Sequence, residues 1–222
     1  MSTSSSAVRV WDIPTRLFHW LLVILIGFSW WSAEQRMMDW HALSGVFVLG
    51  LIVFRLIWGV IGGSTARFSH FLRSPGYVIA YLRQSTKSLR AAGHNPVGGY
   101  SVVLMLLLLA VQTGTGLFAV DVDGIDSGPL SFLVSFDQGR AAAGVHHLSF
   151  TLLQIVAGLH IIAILFYLFV RKRDLVRPMV TGSDKDIETR DGELAPASPL
   201  RLIAAAAIAA AFAWAAWKGF WL

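Results

Sequence analysis

The sequence contains no cysteine among its 222 residues. That absence excludes disulfides, a cysteine nucleophile and thiolate-held zinc. It also excludes cysteine-ligated iron–sulfur clusters and the C-x-x-C-H attachment of covalent haem. Charge is scarce as well. Charged residues make up 14% of the chain, against about 25% in ordinary soluble domains. Hydrophobic residues supply 55% and the mean hydropathy is +0.63. A disordered chain is excluded on that composition, and a soluble globular domain is disfavoured. No nucleophile–base–acid set stands out, nor any phosphate-binding glycine loop, so hydrolysis has no support.

What the chain does have is long uncharged apolar runs. Leu17–Ala33 lies between Arg16 and Glu34, and His41–Ile61 is interrupted only by Arg55. Gly99–Val120 ends at Asp121, and Ala141–Val170 lies between Arg140 and Arg171. Leu202–Trp217 is shorter and alanine-rich. A helix needs about 20 residues to cross the hydrocarbon core, so the first four runs predict spans and the last predicts a fifth. Asp12-Ile13-Pro14 reads as a helix start. Tyr77–Leu89 reads either as a short interfacial helix ending near Gly93 or as a solvated connection. Ser2–Ser6 reads as a loose tail, and the first span as retained rather than as a cleaved signal.

The segments between spans alternate in charge. Arg9 and Arg16 precede the first span. The 62–98 loop carries Arg67, Arg73, Arg83, Lys87 and Arg90 with no acid, and Arg171-Lys172-Arg173 follows the fourth span. The 121–140 loop carries Asp121, Asp123, Asp126 and Asp137. The positive-inside rule therefore predicts a cytoplasmic N-terminus, basic cytoplasmic loops and acidic outer loops. Basic residues so distributed follow membrane topology, and no nucleic-acid partner is expected. The expected organisation is a transmembrane domain over 1–182, a polar cytoplasmic linker over 183–198 and an extra transmembrane helix over 199–222.

Ionisable groups at membrane depth are functional candidates. Of seven histidines, His19, His41, His146, His147 and His160 lie in or beside the spans, while His70 and His94 lie in the basic loop. Each taken alone fits a neutral imidazole bonded to a helix carbonyl. Together they are phased. His146 and His160 are 14 residues apart, about 40° short of four full turns, so they share a face about 21 Å apart along the axis. His147 and His160 are about 140° out of phase. Charge-based orientation pairs His41 with His146 on the outer side and His19 with His160 toward the cytoplasm. The depths match less well for the second pair: His19 is three residues after Arg16, His160 ten before Arg171. His147 reads as a neighbour of the outer ligand. His70 and His94 read as turn or cap residues, or as groups that hydrogen-bond a quinone.

Haem iron best explains imidazoles facing one another between helices when no cysteine is available. Met105 is the only methionine inside a span, so bis-histidine ligation is expected. Non-haem metal and proton-relay readings are weaker, because the spans hold no Asp or Glu. Arg55 follows His41 by 14 residues and so lies on nearly the same face, toward the inner site. It either pairs with a haem propionate, as Arg16 could, or snorkels to the interface. Gly45 and Gly158 let a porphyrin or another helix approach closely.

The segment Val10-Trp11-Asp12-Ile13-Pro14-Thr15-Arg16-Leu17-Phe18-His19-Trp20 resembles the opening of bacterial di-haem cytochromes b of the cytochrome b561 type. That family includes the b-type cytochrome subunits of nickel–iron hydrogenases. Trp40-His41-Ala42-Leu43-Ser44-Gly45, the run Arg55–Gly62, Ala66-Arg67-Phe68, the stretch Gly93–Gly99 and Arg177-Pro178-Met179-Val180-Thr181-Gly182 are similar too. The resemblance covers roughly residues 8–182. It implies an all-α membrane protein, a four-transmembrane-helix haem-binding bundle, here with a fifth C-terminal transmembrane helix outside the shared core. It implies two non-covalent b haems with His19, His41, His146 and His160 as axial ligands. It also implies electron transfer between inner-membrane quinone and a partner, such as a periplasmic c-type cytochrome or hydrogenase subunits, within a lipid environment. A superoxide-to-quinone oxidoreductase is the enzymatic alternative, which acidic outer loops disfavour. A haem-free transporter or adaptor is the alternative of a different class.

Overall fold

In a computed structural model the described residues are 7–83, 96–185, 187 and 195–219. Five helices are long and apolar enough to cross a membrane: α1 (Ile13–Glu34), α2 (Met38–Ile61), α5 (Pro96–Phe118), α6 (Phe136–Phe169) and α8 (Pro199–Trp217). Short helices α3 (Phe68–Phe71), α4 (Pro75–Arg83) and α7 (Val176–Thr181) lie between them. The only strand pair among the described residues is β1 (Val8–Arg9) antiparallel to β2 (Ser183–Asp184). The chain is thus an all-α membrane bundle, with each apolar run realised as one helix. Backbone groups in a bilayer have no water to bond, so an apolar run of this length must close its hydrogen bonds within itself.

The chain divides into two units. Unit one takes the described residues of Met1–Leu17, Ile57–Leu104 and Gly158–Leu202; unit two takes those of Phe18–Leu56, Met105–Ala157 and Ile203–Leu222.

In unit one, Asp12 starts α1 as the sequence predicts. Its Oδ1 accepts from the Thr15 backbone N–H at 2.9 Å, which satisfies a helix donor that has no partner in the first turn. Its Oδ2 accepts from Trp58 Nε1 at 3.0 Å. Asp12 is 8% exposed and Trp58 is fully enclosed. Three sequence motifs therefore meet here. Trp58 reaches Asp12, and Gly59 leaves the space that the Phe68 ring fills; a Cβ at Gly59 would overlap that ring. Gly182 ends α7 at φ 87°, a left-handed conformation in which only glycine is unstrained. Its carbonyl accepts from the backbone N–H groups of Val10 and Trp11.

The segment expected to be a linker is tied down at its described positions. Ser183 and Asp184 pair with β1, Asp184 meets Arg173 at 3.3 Å, and Ile187 joins Val8, Val10 and Trp11 in a buried cluster. Ala195 exchanges two hydrogen bonds with Ser64. A polar composition suggested a solvated connection. The period-two placement of Val8 and Val10 on one strand face supplies the apolar surface that overrides it. The Tyr77–Leu89 helix is realised as Pro75–Arg83, and its remaining positions, with His94 and residues 2–6, lie outside the described residues.

In unit two, one apolar cluster joins four helices. Val48 and Ile52 of α2, Leu109 of α5 and Leu153 of α6 form its buried centre, with Leu22, Leu25 and Ile26 of α1 against it. Its members recur at three- and four-residue intervals, one stripe per helix. The fifth helix packs on α2 through small residues: a Cβ at Gly50 would stand 3.1 Å from the Ala213 Cβ. Close backbone approach through small side chains is the usual basis of helix association in lipid. Gly50 is nine residues from His41, half a rotation away. The fifth helix therefore takes the face of α2 opposite His41.

Candidate haem site

Unit two places His41 of α2 and His146 of α6 with ring centroids 6.0 Å apart. Two imidazoles on opposite sides of one metal atom would have ring centres roughly 6 Å apart, from about 2 Å per metal–nitrogen bond and about 1 Å from nitrogen to ring centre.

Each ring is also anchored through Nδ1, as a ligand needs. His41 Nδ1 is 2.9 Å from the Ser29 carbonyl oxygen of α1 and 3.2 Å from the Ser29 hydroxyl. His146 Nδ1 is 2.8 Å from the Gln112 carbonyl oxygen of α5. A carbonyl only accepts, so in both rings Nδ1 carries the proton and donates. In the neutral ring Nε2 then carries the lone pair that a metal takes. A ligand imidazole characteristically has its far N–H anchored to a carbonyl, which fixes tautomer and ring direction. The pattern is repeated across the pair: α1 holds the ring on α2, and α5 holds the ring on α6.

Room around the rings follows the same plan. Gly116 stands one turn after Gln112, and a Cβ there would lie 2.9 Å from His146 Cε1. Gly45 stands one turn after His41, with no atom within 4 Å of where its Cβ would be. The donor set, the Nδ1 anchors and the small residues beside them fit a bis-histidine haem, and His146 Nε2 stands 2.9 Å from the Gln112 carboxamide.

The other sequence-predicted residues are distributed as follows. His147 is exposed and its ring lies 6.3 Å from that of His146. His19, in unit two, is half-buried with its ring edge-on to Trp20, centroids 4.9 Å apart. His160, in unit one, is half-buried on α6. Arg55, in unit two, is 2% exposed, so its side chain is enclosed by protein rather than laid along the outer surface of the bundle. Arg16, in unit one, donates from Nη1 to the Val180 carbonyl, with Gly182 packed against its guanidinium. His70 lies in the last turn of α3, as a turn residue would.

Sequence reasoning passed over Ser29, Gln112, Gly116 and Ser149. Gln112 had a signal: it is the one amide within the Gly99–Val120 run. A polar group at that depth needs a partner.

A bundle of membrane-length helices that holds imidazoles between its members, without cysteine, is an arrangement that suits a membrane b-type cytochrome. The family model of prokaryotic cytochrome b561 matches residues 10–182, and the chain belongs to that family. It is therefore a haem b-binding, multi-pass membrane protein of electron transfer. α8 lies beyond the matched range. No curated protein and no solved structure matches the chain.

Proposed function

We propose that the protein carries electrons through a bacterial inner membrane between the quinone pool and a partner redox protein, using two b haems. His41 and His146 are the axial ligands of the outer haem, and His19 and His160 those of the inner. The observation that carries this reading is the His41–His146 pair, 6.0 Å apart with both Nδ1 atoms anchored on carbonyls. A b haem supplies reversible one-electron exchange at iron.

The chain's own residues do the rest. Ser29 and Gln112 hold the outer imidazoles in the coordinating tautomer. The enclosed Arg55 and the partly buried Arg16 provide positive charge for propionates, because a buried guanidinium requires an anionic or hydrogen-bonding partner. The 14-residue spacing of His146 and His160 sets two sites about 21 Å apart along one helix, with macrocycle edges closer than that. The corresponding domains are a di-haem unit over 1–182, a connection over 183–198 and a membrane helix over 199–222.

Charge distribution supports a cytoplasmic N-terminus and an acidic outer face. Asp123 and Asp126 are exposed in the loop closed by the Val120–Ser127 bridge. That face favours a cationic partner, such as a c-type cytochrome, over an anionic small oxidant.

The test is a reduced-minus-oxidised optical spectrum of the detergent-purified protein with a haem-to-protein ratio. Two haems per chain are expected, falling to one in His41→Ala and in His146→Ala and staying at two in His147→Ala. No haem in a helical preparation would refute the reading.

A further inference from the structure

In unit two, the turn between α1 and α2 meets the 119–135 loop at a hollow of about 270 Å³, lined by Arg36, Met37, Met38, Asp39, Trp40 and Asp126. One wall is the start of α2, where the His41 backbone N–H donates to the Met37 carbonyl at 3.0 Å. Both segments are built by their own hydrogen bonds. Arg36 takes a left-handed φ of 56°, and the turn closes from the N–H groups of Arg36 and Met37 onto the carbonyl oxygens of Ala33 and Ser32. In the loop, Asp121 Oδ1 accepts from the Ile125 backbone N–H at 2.8 Å, and Gly124 turns the chain at φ 71°. That turn displays Val122 at 72% exposure and Ile125 at 81%. Asp121, Asp123 and Asp126 bracket the two, so this stretch lies in water rather than in hydrocarbon. Large apolar side chains shown to water and rimmed by charge mark a surface for another protein.

Charge says which kind of protein. The segments 34–40 and 121–140 hold six carboxylates against two guanidiniums, Arg36 and Arg140, and Arg140 donates to the Val120 carbonyl. We propose that this hollow is the docking site of a cationic one-electron redox protein, one whose apolar contact patch is ringed by lysines. Val122 and Ile125 supply the apolar contact, and Asp123 and Asp126 the attraction. The hollow receives a lysine side chain, its stem along Met37 and Trp40 and its ammonium at Asp39 and Asp126. Trp40 is exposed and precedes His41 directly in the chain, so a partner seated there stands over the start of the helix that carries the ligand. The proposal rests on the reading of His41 and His146 as haem ligands. One electron passes between that haem iron and the partner's metal: one centre is oxidised as the other is reduced, and no atom is transferred. A contact of this size is enough, since transient redox encounters bury less than about 1,200 Å².

The test uses the haem-loaded protein in detergent, chemically reduced and mixed by stopped flow with an oxidised, lysine-rich c-type cytochrome. The wild-type second-order rate should fall steeply as salt rises. Ile125→Ser removes a displayed apolar group and leaves charge alone. Its expected effect is an about five- to tenfold slower reaction, the size of one interface anchor, with the haem-to-protein ratio and optical spectrum of the wild type. Asp126→Asn should slow the reaction about two- to threefold at low salt and flatten its salt dependence. Leu133→Ser, on the same loop and 60% exposed but outside the hollow, should react at the wild-type rate. A wild-type rate in Ile125→Ser, or an equal slowing in Leu133→Ser, would overturn the docking site. So would a wild-type protein that carries haem and does not exchange electrons with the cationic cytochrome. Those outcomes leave the haem site standing. A helical preparation without haem would instead sink the ligand reading, and the proposal with it.

Discussion

Gly116→Ala is the sharpest perturbation of the His41–His146 site. The added Cβ would stand 2.9 Å from His146 Cε1 and 3.1 Å from Nδ1. Carbon atoms in contact rest at about 3.5–4.0 Å, so the ring must retreat by roughly 0.6 Å or more. Gly116 and Gln112 are one turn apart on the same face of α5, so a ring pushed off Gly116 also moves away from the Gln112 carbonyl. A 2.8 Å bond lengthened that far reaches about 3.4 Å, beyond the range of a good N–H···O bond. Losing it costs about 1.5 kcal/mol, or roughly a tenfold drop in haem affinity at this site. The bonds inside α5 are untouched, and alanine favours a helix over glycine by up to about 1 kcal/mol, so helicity should hold or rise. The assay is haem-to-protein ratio across a scavenger titration, alongside circular dichroism. The expected result is selective weakening of one haem in a fully helical protein. Wild-type retention of both haems would refute the geometry claimed for His146, because that clash cannot be avoided while the ring keeps its place.

Three further outcomes are expected. Asp12→Ala removes the cap of α1 and the acceptor of Trp58 Nε1 together; a loss of about 2–3 kcal/mol is expected in denaturant unfolding of the detergent-solubilised protein, with Trp58→Phe accounting for only the second part. Gly50→Leu places a large side chain where a Cβ already stands 3.1 Å from Ala213; it should detach α8 and raise tryptic cleavage after the exposed Arg201, while the haem-to-protein ratio stays at its wild-type value. Electron transfer to a cationic redox protein should slow as salt rises, since the exposed Asp123 and Asp126 act through a field screened within about 8 Å at physiological ionic strength; a salt-independent rate would remove the acidic face from the docking reading.

Much of this architecture was legible from one dimension. Run length alone demanded membrane helices, because a bilayer leaves an apolar stretch no other way to satisfy its backbone. The fifth helix emerged from the same rule despite its short alanine-rich run, and Asp12 declared the start of α1 through ordinary capping chemistry. Helical phase separated His146 from His147, and the rings of His146 and His41 lie 6.0 Å apart. The burial of Asp184 and Ile187 was not legible. The segment around them is polar, and only the proximity of β1 gives Ile187 and Asp184 somewhere to bury.

The partners of the rings were beyond sequence for a related reason. Spacing within a helix is local and repeats at 3.6 residues per turn, so residues that share a face can be read off directly. Which carbonyl of a neighbouring helix meets an imidazole depends on the rotation and depth of two helices at once. No spacing encodes that Ser29 of α1 serves His41, or that Gln112 meets both ring nitrogens of His146. Sequence by itself determined the helices, their polar faces and the histidines they carry. Tertiary packing decided which nitrogen of His41 and of His146 carries the proton, because that choice is made by hydrogen bonds that cross from one helix to the next.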